Sequence, residues 1–257
     1  MAYTYYTHQD YRTHYDEISK IPSKFETEGV VIYNRRNCIK VMDVCGVKWN
    51  VKSFKTPNFI NSIIYQHFRQ PKALRSLNNA AKLLKMGINT PQPIACIIEQ
   101  ELIGIEHSYY ISQHIDYDYT LGELFAQNPP DIDHILTQCL LFIHDFHCKG
   151  VYFLDLSVGN ILIKKQGNNQ YGFYLVDLNR MKFFDRPLSC SERIKAFCRL
   201  DATPELKHSI LKKYAQISAY GFDEVMEHYT KHYKREKLRK LLKKLSLHNI
   251  FNNTKNK

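Results

Sequence analysis

The feature that most constrains the fold is a short polar motif that runs into a predicted β-hairpin. Asp155 and Asn160 stand five residues apart, and Asn160 leads directly into the apolar residues 161–163. After a polar loop, a second apolar run at residues 172–176 ends at Asp177. The two runs predict a pair of antiparallel strands. Such a hairpin places Asn160 and Asp177 at the same end of a sheet, although they are distant in sequence.

This placement of oxygen-bearing side chains is typical of phosphoryl transfer. Asp155 is predicted to accept or orient the attacking hydroxyl, which makes it the candidate catalytic residue. Asn160 and Asp177 supply the hard oxygen ligands that a Mg²⁺ ion on nucleotide phosphates requires. An ordinary capped turn is the alternative interpretation of Asp155 and Asn160, because both residue types are common in loops.

The periodicity of the chain changes after about residue 115, which predicts an α+β fold in two parts. We expect a small β-rich domain at residues 1–115 and a mainly helical domain, carrying the hairpin, at residues 116–257. In addition to the hairpin, the predicted strands lie within residues 30–54, 94–99 and 107–113, and the predicted helices lie at residues 76–84, 121–125, 132–147 and 191–247.

Charge and cysteine content limit the partners and the compartment. The 257 residues carry a formal net charge of +11, which favours an anionic partner such as a nucleotide, a phosphorylated glycolipid, a membrane surface or nucleic acid. The 7 cysteines form no Cys-x-x-Cys pair, and an odd number does not favour a disulfide framework. Residues 1–15 have no apolar core, so they are not expected to be a signal peptide. A reducing, cytoplasmic setting is therefore predicted.

Several motifs in order resemble the lipopolysaccharide core kinases, a group within the protein-kinase-like superfamily. Lys52 falls where that superfamily has the lysine of its third strand, and the resemblance extends over about residues 28–200. The other matching segments are residues 72–76, the Gly-x-x-Thr-Pro-x-Pro turn at residues 87–93, the His-x-x-Gly segment at residues 147–150 and the Val-Asp-Leu-Asn-Arg segment at residues 176–180.

The resemblance implies a two-lobed fold, with a small β-rich N-lobe and a mainly helical C-lobe, that uses ATP and Mg²⁺. Lys52, Asn160 and Asp177 are then the ATP-binding residues, Asn160 and Asp177 hold the metal, and Asp155 is the base. The implied acceptor is a Kdo or heptose hydroxyl of the lipopolysaccharide core or of a lipid A precursor. The implied location is the cytoplasmic face of the inner membrane of a Gram-negative bacterium.

The chain also departs from the kinase pattern. Phe153-Leu154-Asp155 replaces His-Arg-Asp, residues 177–179 read Asp-Leu-Asn, and the first turn at residues 34–37 is Asn-Arg-Arg-Asn rather than Gly-rich. No Asp or Glu occurs from residue 56 to residue 98, so the helix glutamate that normally orients the strand lysine is missing. We expect Lys52 to be held by Glu28 or Asp43 instead, or the activity to be weakened.

Three other functions stay open on the sequence alone. The altered motifs fit a catalytically weak or silent pseudokinase that acts as a binding module, and the same motifs fit a kinase for another small hydroxylated molecule. Charge alone suggests a basic nucleic-acid-binding protein, but no recognisable nucleic-acid module accompanies it, so no nucleic acid is expected as a partner. His144, His147 and Cys148 suggest a metal site, yet a structural histidine is favoured because no fourth ligand is in view.

The region near the C-terminus is strongly basic. Residues 231–244 contain eight Lys or Arg and a single acid, Glu236. Leu238, Leu241, Leu242 and Leu245 recur at helical spacing within and just after this region. Two compatible interpretations follow: the leucines dock on the helical lobe, and the basic face of the helix contacts an anionic bilayer or phosphorylated lipid as a peripheral surface.

Overall fold

The chain folds into two compact units, one rich in β-structure and one mainly helical, which is the α+β fold expected. The computed structural model describes residues 2–55, 70–101, 104–167 and 169–255. The first unit comprises residues 1–120 and 160–181, and the second comprises residues 121–159 and 182–257. The division of the chain at residue 115 stays a prediction.

An antiparallel sheet forms the body of the first unit. The strands predicted within residues 30–54 are present as a three-strand meander, which pairs with the two strands predicted at residues 94–99 and 107–113. The described strands, in the order in which they pair, are β1 (Ala2–Thr7), β5 (Pro93–Glu101), β6 (Gly104–Gln113), β4 (Val47–Lys55), β3 (Asn37–Val44) and β2 (Val30–Asn34).

Two short helices near the N-terminus, α1 (Tyr15–Ser19) and α2 (Ile21–Phe25), close one face of this sheet. They follow a 3₁₀ helix at Gln9–His14. Their apolar residues Ile18 and Ile21 are almost completely buried in the same core as Trp49, the only tryptophan of the chain. A buried side chain of this kind contributes roughly 1.5–3 kcal/mol relative to an exposed one. The Tyr-rich N-terminal segment, including β1, is therefore part of the folded unit, which the sequence did not predict.

Helix α3 (Lys72–Lys85) and the predicted hairpin complete the first unit. Helix α3 packs on the sheet through its apolar face. Gly87 follows its C-cap residue Met86, and the φ of +68° at Gly87 is the left-handed conformation that glycine adopts readily after a helix end. The hairpin consists of β9 (Ile161–Gly167) and β10 (Gln170–Leu175), and β9 also pairs with β7 (Tyr119–Thr120).

Helices make up most of the second unit. Helix α5 (Ile132–Cys148) lies where a helix is predicted at residues 132–147; its apolar face is buried, as expected for a core-facing helix, and it contacts α7 (Pro204–Ser218). A short strand β8 (Val151–Phe153) follows α5 and pairs with β11 (Met181–Phe183). The bounds are α4 (Leu121–Gln127), α5 (Ile132–Cys148), β8 (Val151–Phe153), β11 (Met181–Phe183), α6 (Cys190–Phe197), α7 (Pro204–Ser218) and α8 (Phe222–Lys255).

The starts of α6 and α7 are set by local polar residues. Ser189 and Glu192 form a reciprocal capping box at the start of α6, and Thr203 caps α7 immediately before Pro204. Both arrangements satisfy backbone N–H groups that a helix leaves without partners. They divide the helical region predicted from residue 191 onward into separate helices.

Helix α8 carries the basic region of the chain. Leu238, Leu241 and Leu242 are each more than half exposed, so the expectation that these leucines dock on the helical lobe is wrong. The side chain of Leu245 lies outside the described residues. Among the helices that the structure describes, none combines the length and apolarity required to span a bilayer.

Candidate active site

The hairpin brings two of the predicted site residues to one end of its strands. The register pairs Ile161 with Leu175, and beyond this pair the backbone N–H of Val176 donates to the carbonyl of Asn160 at 3.0 Å. Asp177 is the next residue. The structure therefore places Asn160 and Asp177 at the ends of adjacent strands, at the same end of the hairpin, as antiparallel pairing requires.

Asp177 is held in an unusual backbone conformation by two polar contacts. Its φ is +58°, which is sparsely populated for residues other than glycine. Lys52 Nζ lies 2.6 Å from Asp177 Oδ1, and Asn179 Nδ2 donates to the same oxygen at 2.6 Å. Strained backbone of this kind persists where surrounding contacts over-determine it, and it is often found at functional sites.

Lys52 lies on β4 and is largely buried, with 8% of the residue exposed. Its carboxylate partner is Asp177, so the expectation that Glu28 or Asp43 holds it is wrong. In the described structure Glu28 instead pairs with Lys24 at 3.1 Å, and Asp43 accepts a hydrogen bond from the N–H of Gly46. The strand lysine and the hairpin aspartate belong to the same unit, which is why they meet without a helix glutamate.

Helix α3 contacts the segment after Asp177 through donors rather than through a carboxylate. Arg75 Nη1 donates to the carbonyl of Asn179 at 2.7 Å, and Asn79 Nδ2 donates to the carbonyl of Leu178 at 2.7 Å. Ser76, near the expected place of the missing glutamate, is buried and bonds to the helix backbone. The helix thus fixes the position of residues 178–179.

Cations surround this end of the first unit. Burial lowers the pKa of Lys72, and the charges of Arg36 and Arg75 lower it further, while Asp177 opposes the shift. The Nζ atoms of Lys52 and Lys72 lie 5.0 and 6.0 Å from the centre of the Phe54 ring. We call Arg36, Lys52, Lys72 and Arg75 the cationic cluster. A local excess of positive charge of this kind favours the binding of anions such as phosphate groups.

Asp155 lies in the second unit, on the turn that follows β8. Arg199 Nη1 donates to Asp155 Oδ1 at 2.7 Å, and about a quarter of each side chain is exposed. Arg199 follows α6, more than forty residues away in sequence. The ion pair orients the carboxylate while leaving it accessible to solvent.

Backbone contacts and a buried histidine support the segment before this turn. The imidazole of His147 is completely buried, and its Nδ1 atom lies 2.7 Å from the hydroxyl of Tyr214. Burial lowers the pKa of His147 well below its ordinary value, and the nearby Arg193 and His144 lower it further. The carbonyl of His147 accepts from the N–H of Leu188. These contacts confirm the interpretation of His147 as a structural histidine.

The hairpin residues fit a divalent metal ion of the magnesium type. Asp177 and Asn160 offer a carboxylate and an amide oxygen, and such hard oxygens are the ligands that Mg²⁺ takes from proteins. The contacts of Asp177 with Lys52 and Asn179 both use Oδ1. Asn160 is partly exposed. The donor set therefore agrees with the metal role predicted for these residues.

Comparison with known proteins identifies the family. The sequence model of the "Lipopolysaccharide kinase (Kdo/WaaP) family" matches residues 33–189, more than half of the chain. The chain belongs to the lipopolysaccharide kinase (Kdo/WaaP) family. Membership supports phosphotransferase activity and the use of ATP. The matched segment includes Lys52, Asp155, Asn160 and Asp177. No curated protein matches the sequence.

One solved structure supports the fold of this lipopolysaccharide kinase family member. A structure described as WaaP in complex with acyl carrier protein aligns with 92% of this chain and 97% of that chain, at a TM-score of 0.60 and 14% sequence identity. A crystal structure of WbdD aligns with 78% of this chain and 44% of that chain, at a TM-score of 0.46 and 13% identity. The first likeness supports the kinase-like fold, whereas the second is too low to establish one.

Sequence reasoning missed the residues that hold the predicted site residues in place. Asn179 is part of the matching segment at residues 176–180 and of the departure from Asp-Phe-Gly, but neither observation predicts that its amide donates to Asp177. Arg199 stands in a region without a recognisable motif, and only the packing of the second unit brings it to Asp155. For Arg75 and Asn79 on α3, the sequence held a usable signal, namely polar residues within a helix that packs on a sheet. Such residues usually form hydrogen bonds with a neighbouring segment.

Proposed function

We propose that this chain transfers the γ-phosphoryl group of ATP to a hydroxyl of Kdo or heptose in the lipopolysaccharide inner core. The observation that carries the proposal is the 2.6 Å contact between Lys52 and Asp177, because it joins the two polar residues that kinase chemistry needs on the phosphate side. Family membership supports the reaction class and the lipopolysaccharide acceptor.

Lys52 and the cationic cluster are assigned to the phosphates of ATP. Positive charge placed beforehand at the phosphates stabilises the transition state without reorganisation during the reaction. The largely buried position of Lys52 strengthens its interaction with an anion relative to the same contact in water. Lys72 and Arg75 stand on the helix that lacks the usual glutamate. They add positive charge where a carboxylate is normally found.

Asp177 and Asn160 are assigned to the metal ion. When bound, Mg²⁺ supplies charge neutralisation on the phosphates. Asn179 and Lys52 orient the Asp177 carboxylate through Oδ1. Asn160 is fixed by the backbone bond that closes the hairpin.

Asp155 is assigned to the acceptor hydroxyl. Its carboxylate accepts the proton or orients the hydroxyl for attack, a role that requires a fixed but accessible oxygen. Arg199 provides the fixed orientation, and the partial exposure of Asp155 provides access. Most of the rate enhancement is expected from placement and electrostatics.

A transfer assay tests the proposal. Phosphate from labelled ATP is followed into lipid A carrying Kdo, with or without heptose, in the presence of Mg²⁺. We expect transfer by the wild type, and a loss of roughly 10²–10⁴-fold in Asp155→Ala and Asp177→Ala. Asp145→Ala is the matched control. Asp145 lies on α5 and forms an exposed ion pair with Lys149, which follows the helix, so this variant is expected to keep wild-type transfer. Equal activity of all variants contradicts the assigned roles.

A catalytically silent binding module is the second candidate, favoured by the absence of an acidic residue on α3. It predicts that ATP binds to the folded wild type and raises its Tm, with no transfer to any acceptor in the presence of Mg²⁺. Transfer to a small hydroxylated molecule but not to the lipid instead supports a kinase with a different acceptor.

Peripheral contact with an anionic membrane is proposed for α8. The exposed leucines of the helix stand among eight basic residues at positions 231–244. Basic residues near an anionic surface contribute roughly 1 kcal/mol each, and exposed leucines add apolar contact with the acyl boundary. A lipid-linked acceptor at the cytoplasmic face of the inner membrane of a Gram-negative bacterium is consistent with such a surface.

A further inference from the structure

The second unit contains a group of three side chains of metal-ligating types, none of which is assigned to phosphoryl transfer. Cys190 is the first residue of α6, and Glu224 and His228 lie one helical turn apart near the start of α8. The ligand atoms of the three residues all lie within 4.8 Å of one another. We call these residues the Cys190 cluster.

The geometry of the cluster follows from helix packing. Glu224 and His228 are separated by four residues, so their side chains lie on the same face of α8. That face packs against α6, whose first residue brings Cys190 to them. Cys190 is buried, with 6% of the residue exposed, whereas His228 is partly exposed and Glu224 is exposed. Three ligands therefore converge on one point with an open side toward solvent.

A neighbouring hydrogen bond supports the position of the histidine. The ring of His228 stacks on that of His232 at a centroid distance of 6.4 Å, and His232 Nε2 lies 2.9 Å from Ser191 Oγ. Ser191 follows Cys190 on α6. The contact joins the same two helix segments a second time and fixes the spacing between the ligands.

The donor types point to Zn²⁺. A thiolate and an imidazole together favour Zn²⁺ over Mg²⁺ or Ca²⁺, which prefer oxygen ligands alone. A carboxylate completes three protein ligands, and a water molecule is the usual fourth ligand in such sites. Without metal, burial and the carboxylate of Glu224 raise the pKa of Cys190 to about 12. On binding, the S–H proton leaves to solvent as the sulfur–metal bond forms.

We propose that Cys190, Glu224 and His228 form a Zn²⁺ site that ties α6 to the start of α8. The site lies at the base of the helix that continues into the basic region at residues 231–244. Metal binding stabilises the folded state because the unfolded chain holds no such arrangement of ligands. The consequence is that the start of the basic helix α8 is held against α6 within the second unit.

Titration of the full-length protein with Zn²⁺ alone tests the site, by calorimetry and by thermal unfolding. We expect one tight equivalent, a higher Tm on adding Zn²⁺, and binding that is at least roughly ten-fold weaker in Cys190→Ser and His228→Ala. Co²⁺ should give a thiolate charge-transfer band with the wild type that is lost in Cys190→Ser. Cys198→Ser and His134→Ala are the matched controls, since neither residue belongs to the cluster.

Two results overturn the proposal. The first is the absence of a tight Zn²⁺ equivalent in the folded wild type. The second is binding that persists unchanged in Cys190→Ser and His228→Ala, or that falls equally in the controls, because the metal then binds scattered surface side chains. His228→Ala keeps the test decisive if Cys190→Ser fails to fold, since His228 is only partly buried.

Discussion

At the scale of single residues, the ion pair between Asp155 and Arg199 makes a prediction about catalysis. Arg199→Ala removes the group that orients the carboxylate, and misplacement of a catalytic group costs up to roughly 100-fold in rate. We expect kcat for phosphate transfer to fall while KM for ATP changes little. Arg199→Lys should restore part of the loss, because an ammonium group can still pair with Asp155.

Steady-state kinetics on the three proteins distinguish positioning from other roles. Arg186→Ala serves as the control, since Arg186 forms an exposed pair with Glu192 outside the assigned residues. An increase in KM for the acceptor with an unchanged kcat indicates instead that Arg199 binds substrate. Wild-type kcat in Arg199→Ala contradicts the positioning role.

The backbone conformation and close surroundings of Gly150 lead to a prediction about stability at the same scale. Its φ is +76°, and a Cβ atom there meets the backbone carbonyls of Phe184 and Arg186. Gly150→Ala should lower the free energy of unfolding by roughly 2–5 kcal/mol, from the left-handed backbone and the overpacking together. Urea unfolding measures the change.

Gly46→Ala separates the two causes of that loss. Gly46 has a similar φ of +79°, but nothing lies within 4 Å of an added Cβ. It should therefore show only the backbone cost, roughly 1–2 kcal/mol. Equal losses at Gly46 and Gly150 contradict a steric role for the contact at Gly150.

At the scale of elements, the exposed leucines of α8 predict membrane binding. Leu238, Leu241 and Leu242 are accessible to a bilayer, and each contributes on the order of 1 kcal/mol or more when its apolar surface is buried. Replacing all three by Ser should weaken binding to vesicles of phosphatidylethanolamine and phosphatidylglycerol by at least roughly ten-fold. Co-sedimentation with the vesicles measures the partitioning.

The matched control for α8 is Leu141→Ser, which changes an exposed leucine on α5. Binding by the wild type should also fall with added salt, because the basic residues interact with the anionic headgroups through screened charges. Equal binding by the triple variant and the wild type excludes α8 as the membrane surface.

At the scale of the whole molecule, buried histidines predict how stability depends on pH. The pKa of His147 is well below its ordinary value in the folded protein because of burial, then because of Arg193 and His144. Below a pH of about 6.5 the unfolded chain takes up a proton at this position that the folded chain does not. The free energy of unfolding therefore decreases as the pH is lowered. A fully shifted group contributes roughly 1.4 kcal/mol per pH unit in that range.

Urea unfolding between pH 7.5 and 5 measures this slope of stability against pH. We expect a smaller slope in His147→Gln than in the wild type, whatever the overall stability of the variant. His144, His114 and His232 also have lowered pKa values through burial, so the slope should not vanish. An equal slope in His147→Gln and in the wild type contradicts the assignment.

Local pattern was enough to predict most secondary structure and the hairpin. The apolar spacing of α5 and the alternation of β2 to β4 are encoded within short windows, where the backbone geometry of helix or strand dictates which residues are buried. The hairpin also brought Asn160 and Asp177 together as predicted, because its short loop favours antiparallel pairing of the two strands that it connects.

The sequence by itself thus determined the main strands and helices from residue 30 to residue 175, the family, and the order of Lys52, Asn160 and Asp177 along the chain. Only the tertiary structure decided which distant partners meet: Lys52 with Asp177, Asp155 with Arg199, and β1 with β5, whose paired residues are 88 to 98 positions apart. It also decided that the leucines of α8 face solvent. The physical reason is that these contacts depend on the packing of distant segments, whose energies are summed over the fold and leave no pattern in any local window.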